Sequence, residues 1–315
     1  MLDLWPAPER HALEAMLRRS KAGDFAVFDA DNTLWFDDVT ESLFAWLAHT
    51  GQLSLDSLNP ALRPLPYRAG ESIWSYYLAL CALSTGVGYL WAVQVFSGFS
   101  PRELRAALHA MLASEAPVPA TDLVDGEIVD VQIGLPRPFA RMRELVAALE
   151  AADVRCWIVT ASPEETVRLL ACDPVHGVGI HPDRVCGVNL MMQTKSGPDW
   201  GARARAEGRS PWLSDTWLDA RLTHHAIAPL TWYEGKVAAV RTWISTSQRP
   251  LLAAGDSPSD IPMQLLVDPA RGLRLRIRAD ASHDARTAAA LAARPGTGAD
   301  GGWLTLTPEQ LGPGG

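Results

Sequence analysis

Two hydrophobic patterns alternate along this chain. Short, mostly apolar runs, at residues 25–28, 154–159, 185–192, 250–254 and, with arginine at alternate positions, 273–278, have the length and the Val, Ile, Leu and aromatic content of buried strands. Between them lie longer stretches whose apolar residues recur every three or four positions, the spacing of a helix with one buried face. Residues 8–21 carry Leu13, Met16 and Leu17 on such a face, and 136–152 and 164–171 follow the same rule. A further helix starts near residue 233 and runs through Val237, Val240 and Ile244. Strands that alternate with helices predict a parallel sheet.

The alternation breaks after the first strand. Residues 37–47, with acids in the first turn and Gly51 beyond the end, read as a helix. Residues 71–83, 89–96 and 101–113 are three more, the last opened by Ser100 as N-cap and Pro101 at the first helical position. The 53–67 stretch, with Pro60, Pro64 and Pro66, is expected to be a loop, and Pro117, Pro119 and Gly126 mark another irregular segment. A mostly helical cap over 36–135 is therefore predicted, inserted into a catalytic core formed by 1–35 and 136–315. Residues 193–230 read as irregular.

Composition narrows the class. With 315 residues, 48% of them hydrophobic, the chain can bury a full core and still carry an insertion. A net charge of −8 without a long basic run argues against a nucleic-acid surface. Residues 72–101 hold no charged side chain, but Ser84, Thr85, Gly86, Gly88, Gln94, Ser97 and Gly98 divide them into two buried helices, so no membrane segment is expected. Cys81, Cys156, Cys172 and Cys186 are too scattered for a zinc site and suit a reducing compartment. Asp3, Glu9, His11 and Glu14 interrupt the apolar positions of residues 1–20. The chain as it stands is expected in the cytoplasm, with the periplasm as the alternative if a signal peptide was removed.

Chemistry concentrates where strands end. Phe25-Ala26-Val27-Phe28 runs into Asp29-Ala30-Asp31-Asn32-Thr33, the strand from 154 ends in Thr160-Ala161-Ser162, Lys236 opens a helix, and the strand from 250 ends in Gly255-Asp256-Ser257-Pro258-Ser259-Asp260. In an open α/β sheet these positions border the ligand crevice, and carboxylates brought so close repel one another unless a divalent cation joins them.

The ordered set resembles the four motifs of the haloacid dehalogenase (HAD) superfamily, which implies a Rossmann-like core and phosphoryl transfer with Mg²⁺. The resemblance implies Asp29 as nucleophile and Asp31 as acid and base. Thr160 or Ser162 would hold a phosphoryl oxygen, and Lys236 would supply positive charge. It also implies a metal site built from Asp29, the backbone carbonyl of Asp31, Asp256 and Asp260. Asn32 and Thr33 complete the first motif and are expected at the substrate. An aspartate at position 31 favours a phosphatase over a dehalogenase.

Residues 41–43, 71–77, 91–100 and 255–260 are similar to a narrower group, the bacterial phosphorylcholine phosphatases, over nearly the whole chain. That resemblance implies phosphocholine as substrate, with Glu41 and Glu71 at the choline. A quaternary ammonium donates no hydrogen bond and is recognised by carboxylates and aromatic faces, so Trp35, Trp74, Tyr76 and Tyr77 join the expected site. The rival reading is a phosphoserine-type phosphatase using Arg63 or Arg68 for the substrate carboxylate. A more distant one is a catalytically silent choline- or betaine-binding protein.

Overall fold

The computed structural model describes residues 2–278, 281–293 and 302–312. Its apolar runs assemble into one eight-stranded sheet in the order Trp303–Leu306, Leu273–Ile277, Leu252–Gly255, Phe25–Phe28, Arg155–Pro163, Val185–Thr194 and Gly197–Asp199, with Arg221–Ile227 also paired to Val185–Thr194. The six strands that begin this order pair parallel throughout, and only Gly197–Asp199 and Arg221–Ile227 run antiparallel.

Phe25–Phe28 lies in the middle, and every residue of it is buried. Its side chains alternate between two cores: Ala26 and Phe28 pack with Ile158 and Ala254, while Phe25 and Val27 pack with Val159 and Ala253. That period of two is what a central strand needs to serve both faces. Phe28 pairs with Ala254 on one side and Ile158 on the other, so three parallel strands deliver their C-terminal ends to the same edge.

Residues 36–136 add nothing to this sheet. Trp35–Phe36 pairs antiparallel with Arg137–Pro138 where the chain leaves and returns. Between them stand the helices Val39–His49, Ile73–Leu83, Thr85–Gln94 and Pro101–Ala113. The segment expected to be irregular near Pro117 to Gly126 is instead a hairpin, Val118–Val124 against Glu127–Ile133. Its turn is Asp125-Gly126, both at positive φ (51° and 86°), as the mirror-image turns of two-residue hairpins require.

The stretch expected to be irregular over 193–230 is also structured. It holds Gly197–Asp199, the helices Gly201–Ala206 and Asp215–Leu218, and Arg221–Ile227. Its strands pair with Val185–Thr194 from 3 to more than 30 residues away, so no local period announces them. This second insertion is fastened to the first. Leu222 exchanges main-chain hydrogen bonds with Gly98 and Phe99 (2.8 and 2.9 Å), and Arg102 pairs with Asp215 and Asp219 (2.7 and 2.6 Å). The four cysteines are free, and no helix among the described residues is long and apolar enough to cross a membrane.

Candidate active site

At the C-terminal edge of the central strands is a cavity of about 240 Å³, lined by Asp29, Asp31, Asn32, Asp38, Thr40, Glu41, Tyr77, Tyr89, Ala92, Val93, Thr160, Ala161, Ser162, Asp256, Ser257 and Ser259. Asp29 follows the central strand directly, and its N–H donates to Ala254 O (2.9 Å). Its Oδ1 lies 2.7 Å from Lys236 Nζ, which also reaches Asp260 Oδ1 at 2.5 Å. Lys236 is fully buried. Burial opposes its charge, but Asp260 and Asp29 outweigh that and hold it firmly protonated.

Asp260 is oriented from below: its Oδ2 accepts the backbone N–H groups of Asp256 (3.1 Å) and Ser257 (2.9 Å) and the Ser257 hydroxyl (3.0 Å). Oxygen atoms of Asp29, Asp256 and Asp260 lie within 4.8 Å of one another. Burial, then the Asp260 charge, pushes the Asp29 carboxyl up to about 7; burial with Asp260 and Asp29 drives Asp256 well above the usual carboxylate range. One lysine against three buried carboxylates leaves uncompensated negative charge, and the donors are all oxygen. These residues therefore fit a hard divalent cation such as Mg²⁺.

Asp31 is held by three donors. Its Oδ1 accepts from Trp35 Nε1 and Val39 N (both 2.8 Å), and its Oδ2 from Ser162 Oγ (2.5 Å). Burial, followed by the nearby Asp38, pushes it up to about 7 against the lowering effect of these bonds. Asn32 takes a left-handed backbone (φ 54°), which asparagine tolerates, and this turns the chain back over the nucleophile loop. Thr160 Oγ1 accepts the Ser162 N–H (3.2 Å), and its carbonyl accepts from Thr231 Oγ1 (2.5 Å), so both hydroxyl candidates are at the cavity.

The opposite wall comes from the first insertion. Asp38 caps Val39–His49, its Oδ1 accepting the N–H of Thr40 (2.7 Å) and Glu41 (3.0 Å). Glu41 Oε1 accepts from Tyr77 Oη (2.8 Å). Burial raises both acids, Asp38 to about 7. Tyr77 stacks on Trp91, and Tyr89 stands edge-on to Trp232.

Among the expected residues, Asp29, Asp31, Asn32, Glu41, Tyr77, Thr160, Ser162 and Asp256 line one cavity, with Lys236 and Asp260 bonded directly behind it. Thr33 and Trp35 are fully buried and do not line it; Trp35 supports Asp31 from behind. Glu71, Trp74 and Tyr76 do not line the cavity either, and Trp74 borders a separate one. Glu71 is turned away, its carboxylate accepting from the Arg68 N–H and guanidinium (2.8 and 2.9 Å), because it sits just outside the Ser72 cap of Ile73–Leu83. Tyr76 lies on another face of that helix and bonds the backbone of Leu65. Neither Arg63 nor Arg68 lines the cavity. Among the polar lining residues, sequence reasoning missed Asp38, Thr40, Tyr89, Ser257 and Ser259. Asp38 carried a signal, the acid just before an apolar-periodic helix, whereas Tyr89 carried none beyond its aromatic ring.

Across 327 aligned residues the chain is 36% identical to the phosphorylcholine phosphatase of Pseudomonas aeruginosa, covering 98% of this chain and 93% of the relative. Among solved structures, a conserved functionally unknown protein from Anaerococcus prevotii superposes over 87% of this chain and 86% of its own with a TM-score of 0.60 and 16% identity, a likeness of fold. A HAD family hydrolase from Salmonella enterica serovar Typhi covers 85% of this chain and 67% of its own with a TM-score of 0.46 and 10% identity. No family model matches the chain. Carboxylates, a hydroxyl and a lysine gathered at the edge of a Rossmann-like sheet, in a chain with this relative, define a HAD-superfamily phosphatase. Within that superfamily the chain belongs to the phosphorylcholine phosphatase family.

Proposed function

We propose that this phosphatase hydrolyses phosphocholine to choline and phosphate, with residues 36–135 acting as the cap over a core of 1–35 and 136–315. One observation carries the choice of substrate. Beyond the acids that phosphoryl transfer uses, the cavity holds two further carboxylates, the half-buried Asp38 and Glu41, beside Tyr77 and Tyr89, and no lysine or arginine is among its lining residues. A trimethylammonium group is stabilised by such a wall, whereas the carboxylate of phosphoserine would meet only like charge. The absence of Arg63 and Arg68 from the lining weighs against that rival in the same way.

In the proposed reaction Asp29 attacks phosphorus, the phosphorus–oxygen bond to choline breaks, and Asp31 gives its proton to the departing alkoxide. Water then attacks the aspartyl-phosphate, Asp31 takes the proton back, and phosphate leaves with Asp29 restored. Lys236 keeps Asp29 aligned and offsets charge on the phosphoryl group, while Thr160 donates to a phosphoryl oxygen, since the one hydroxyl proton of Ser162 is already given to Asp31. Asp29, Asp256 and Asp260, with the carbonyl of Asp31, would hold Mg²⁺, which lowers the repulsion between a carboxylate nucleophile and an anionic ester.

Phosphate release from phosphocholine, phosphoethanolamine and phosphoserine, measured side by side with Mg²⁺ and with EDTA, tests the reading. Mg²⁺-dependent turnover with phosphocholine preferred is expected. Preference for phosphoserine would remove the choline assignment and keep the core chemistry. Choline affinity without turnover of any ester would point to a silent binding protein.

A further inference from the structure

The strand Arg155–Pro163 does not reach its end in register. It pairs with Val185–Thr194 at Ile158↔Val185 and Val159↔Cys186, then again only at Pro163↔Val188. Four residues advance on one strand for two on the other. The surplus falls in Thr160-Ala161-Ser162, and all three line the cavity. A bulge of this kind re-aims side chains and leaves backbone groups of the neighbouring strand without ladder partners.

Gly187 is the residue opposite the bulge, and its backbone is satisfied by side chains. Its N–H donates to Glu164 Oε2 (3.2 Å), and its carbonyl accepts from Asn189 Nδ2 (3.1 Å), which also reaches Glu164 Oε2 (2.9 Å). A Cβ at position 187 would lie 2.6 Å from Ser162 O and from Glu164 Cα, so only glycine lets the bulge lie this close. Glu164 is 2% exposed. Burial alone would raise its pKa, but Arg205 and Arg168 reverse that and keep it low. Arg205 Nη2 sits 2.5 Å from Oε2 and Arg168 Nη2 2.5 Å from Oε1.

The second insertion closes this cluster from outside. It supplies Arg205, and it supplies Trp212, whose ring centroid is 3.8 Å from Arg168 Cζ. Trp217 Nε1 donates to Glu165 (2.9 Å), and a Cβ on Gly201 would fall 1.9 Å from Glu164 Oε1. None of these groups touches the cavity.

We propose that Glu164, Gly187, Asn189 and Arg205 form a positioning assembly that fixes the Thr160-Ala161-Ser162 bulge, so that the Ser162 hydroxyl engages Asp31, and that clamping this bulge is the task of the second insertion. The inference rests on the proposed proton transfer by Asp31. It reaches catalysis only through Ser162, so its effect depends on whether the leaving group needs a proton.

The test compares the best alkyl monoester of the panel above with p-nitrophenyl phosphate, whose phenolate leaves without protonation. Asn189→Leu, or the milder Arg205→Gln if that variant does not fold, is expected to lower kcat on the alkyl ester by about tenfold to a hundredfold. On p-nitrophenyl phosphate the loss should stay under about twofold, with KM for the alkyl ester little changed. Ser162→Ala should show the same selectivity, and combining it with Asn189→Leu should add little further loss. Equal fractional losses on both esters, or additive effects in the double variant, would overturn the assembly. Asp31→Asn is the control: if it fails to discriminate between the esters, the role given to Asp31 falls and the inference with it. If it discriminates and the assembly variants do not, only the inference falls.

Discussion

Asp38 and Glu41 owe their place at the cavity to one helix terminus. Asp38 spends Oδ1 on the N–H groups of Thr40 and Glu41, and that cap points the first turn of Val39–His49 toward the strand ends. Glu41 is then held by the Tyr77 hydroxyl, so its charge is oriented as well as desolvated. Glu41→Gln keeps the shape and removes the charge. It should raise KM for phosphocholine by about tenfold, the ratio that roughly 1.4 kcal/mol of lost binding produces, and leave p-nitrophenyl phosphate nearly unaffected. Parallel kinetics on the two esters decide it, and equal increases would take Glu41 out of the ammonium site. Glu71 illustrates what residue type alone cannot decide. As a lone acid in a charge-free stretch it resembles a ligand, yet three residues upstream Arg68 offers a closer partner.

Strand ends explain how the phosphoryl side is assembled. Leu252–Gly255 is fully buried, and Gly255 is its last residue because Asp260 folds back against it. A Cβ there would lie 2.4 Å from Asp260 Cβ and 2.5 Å from its Cγ, closer than any real contact permits. Gly255→Ala should therefore displace Asp260 from Lys236, lowering activity by about tenfold or more and weakening Mg²⁺ binding. Titration of activity with Mg²⁺ reads both, and an unchanged half-saturation with full activity would contradict it. The elements themselves divide by how local their signals are. The central strand and the capped helices were legible because each carries its own period and terminus. The hairpin over 118–133 was announced only by Asp125-Gly126, since its exposed strands lack the alternation of a half-buried sheet. The second insertion had no such signal, because its strands exist only through pairing with Val185–Thr194.

For the molecule as a whole, three buried carboxylates around one lysine are a cost to the metal-free fold. A cation that binds only the folded state relieves it and stabilises by mass action, about 2.7 kcal/mol at a hundredfold excess over Kd. Mg²⁺ should then raise the melting temperature by about 5 °C in a chain of this size, and EDTA should reverse the rise. Asp256→Asn, with one charge fewer, should melt higher than the parent without metal and respond much less to Mg²⁺. A thermal series in which both proteins respond alike would argue against a site built on Asp256.

Local pattern was sufficient for the class of fold and for the order of its chemical groups. A strand's period and the residues at its end are written within about ten positions, and the order of those ends, with the helix that carries Lys236, is what the family resemblance matched to point to Asp29, Asp31, Thr160, Lys236 and Asp256 with no coordinates at all. Convergence was settled in three dimensions. Whether an acid faces the cavity, as Asp38 does, or an arginine, as Glu71 does, depends on the rotation of a helix and on partners from other parts of the chain. Behind the bulge at Thr160-Ala161-Ser162, Glu164, Gly187 and Arg205 likewise meet across separations that no local period spans.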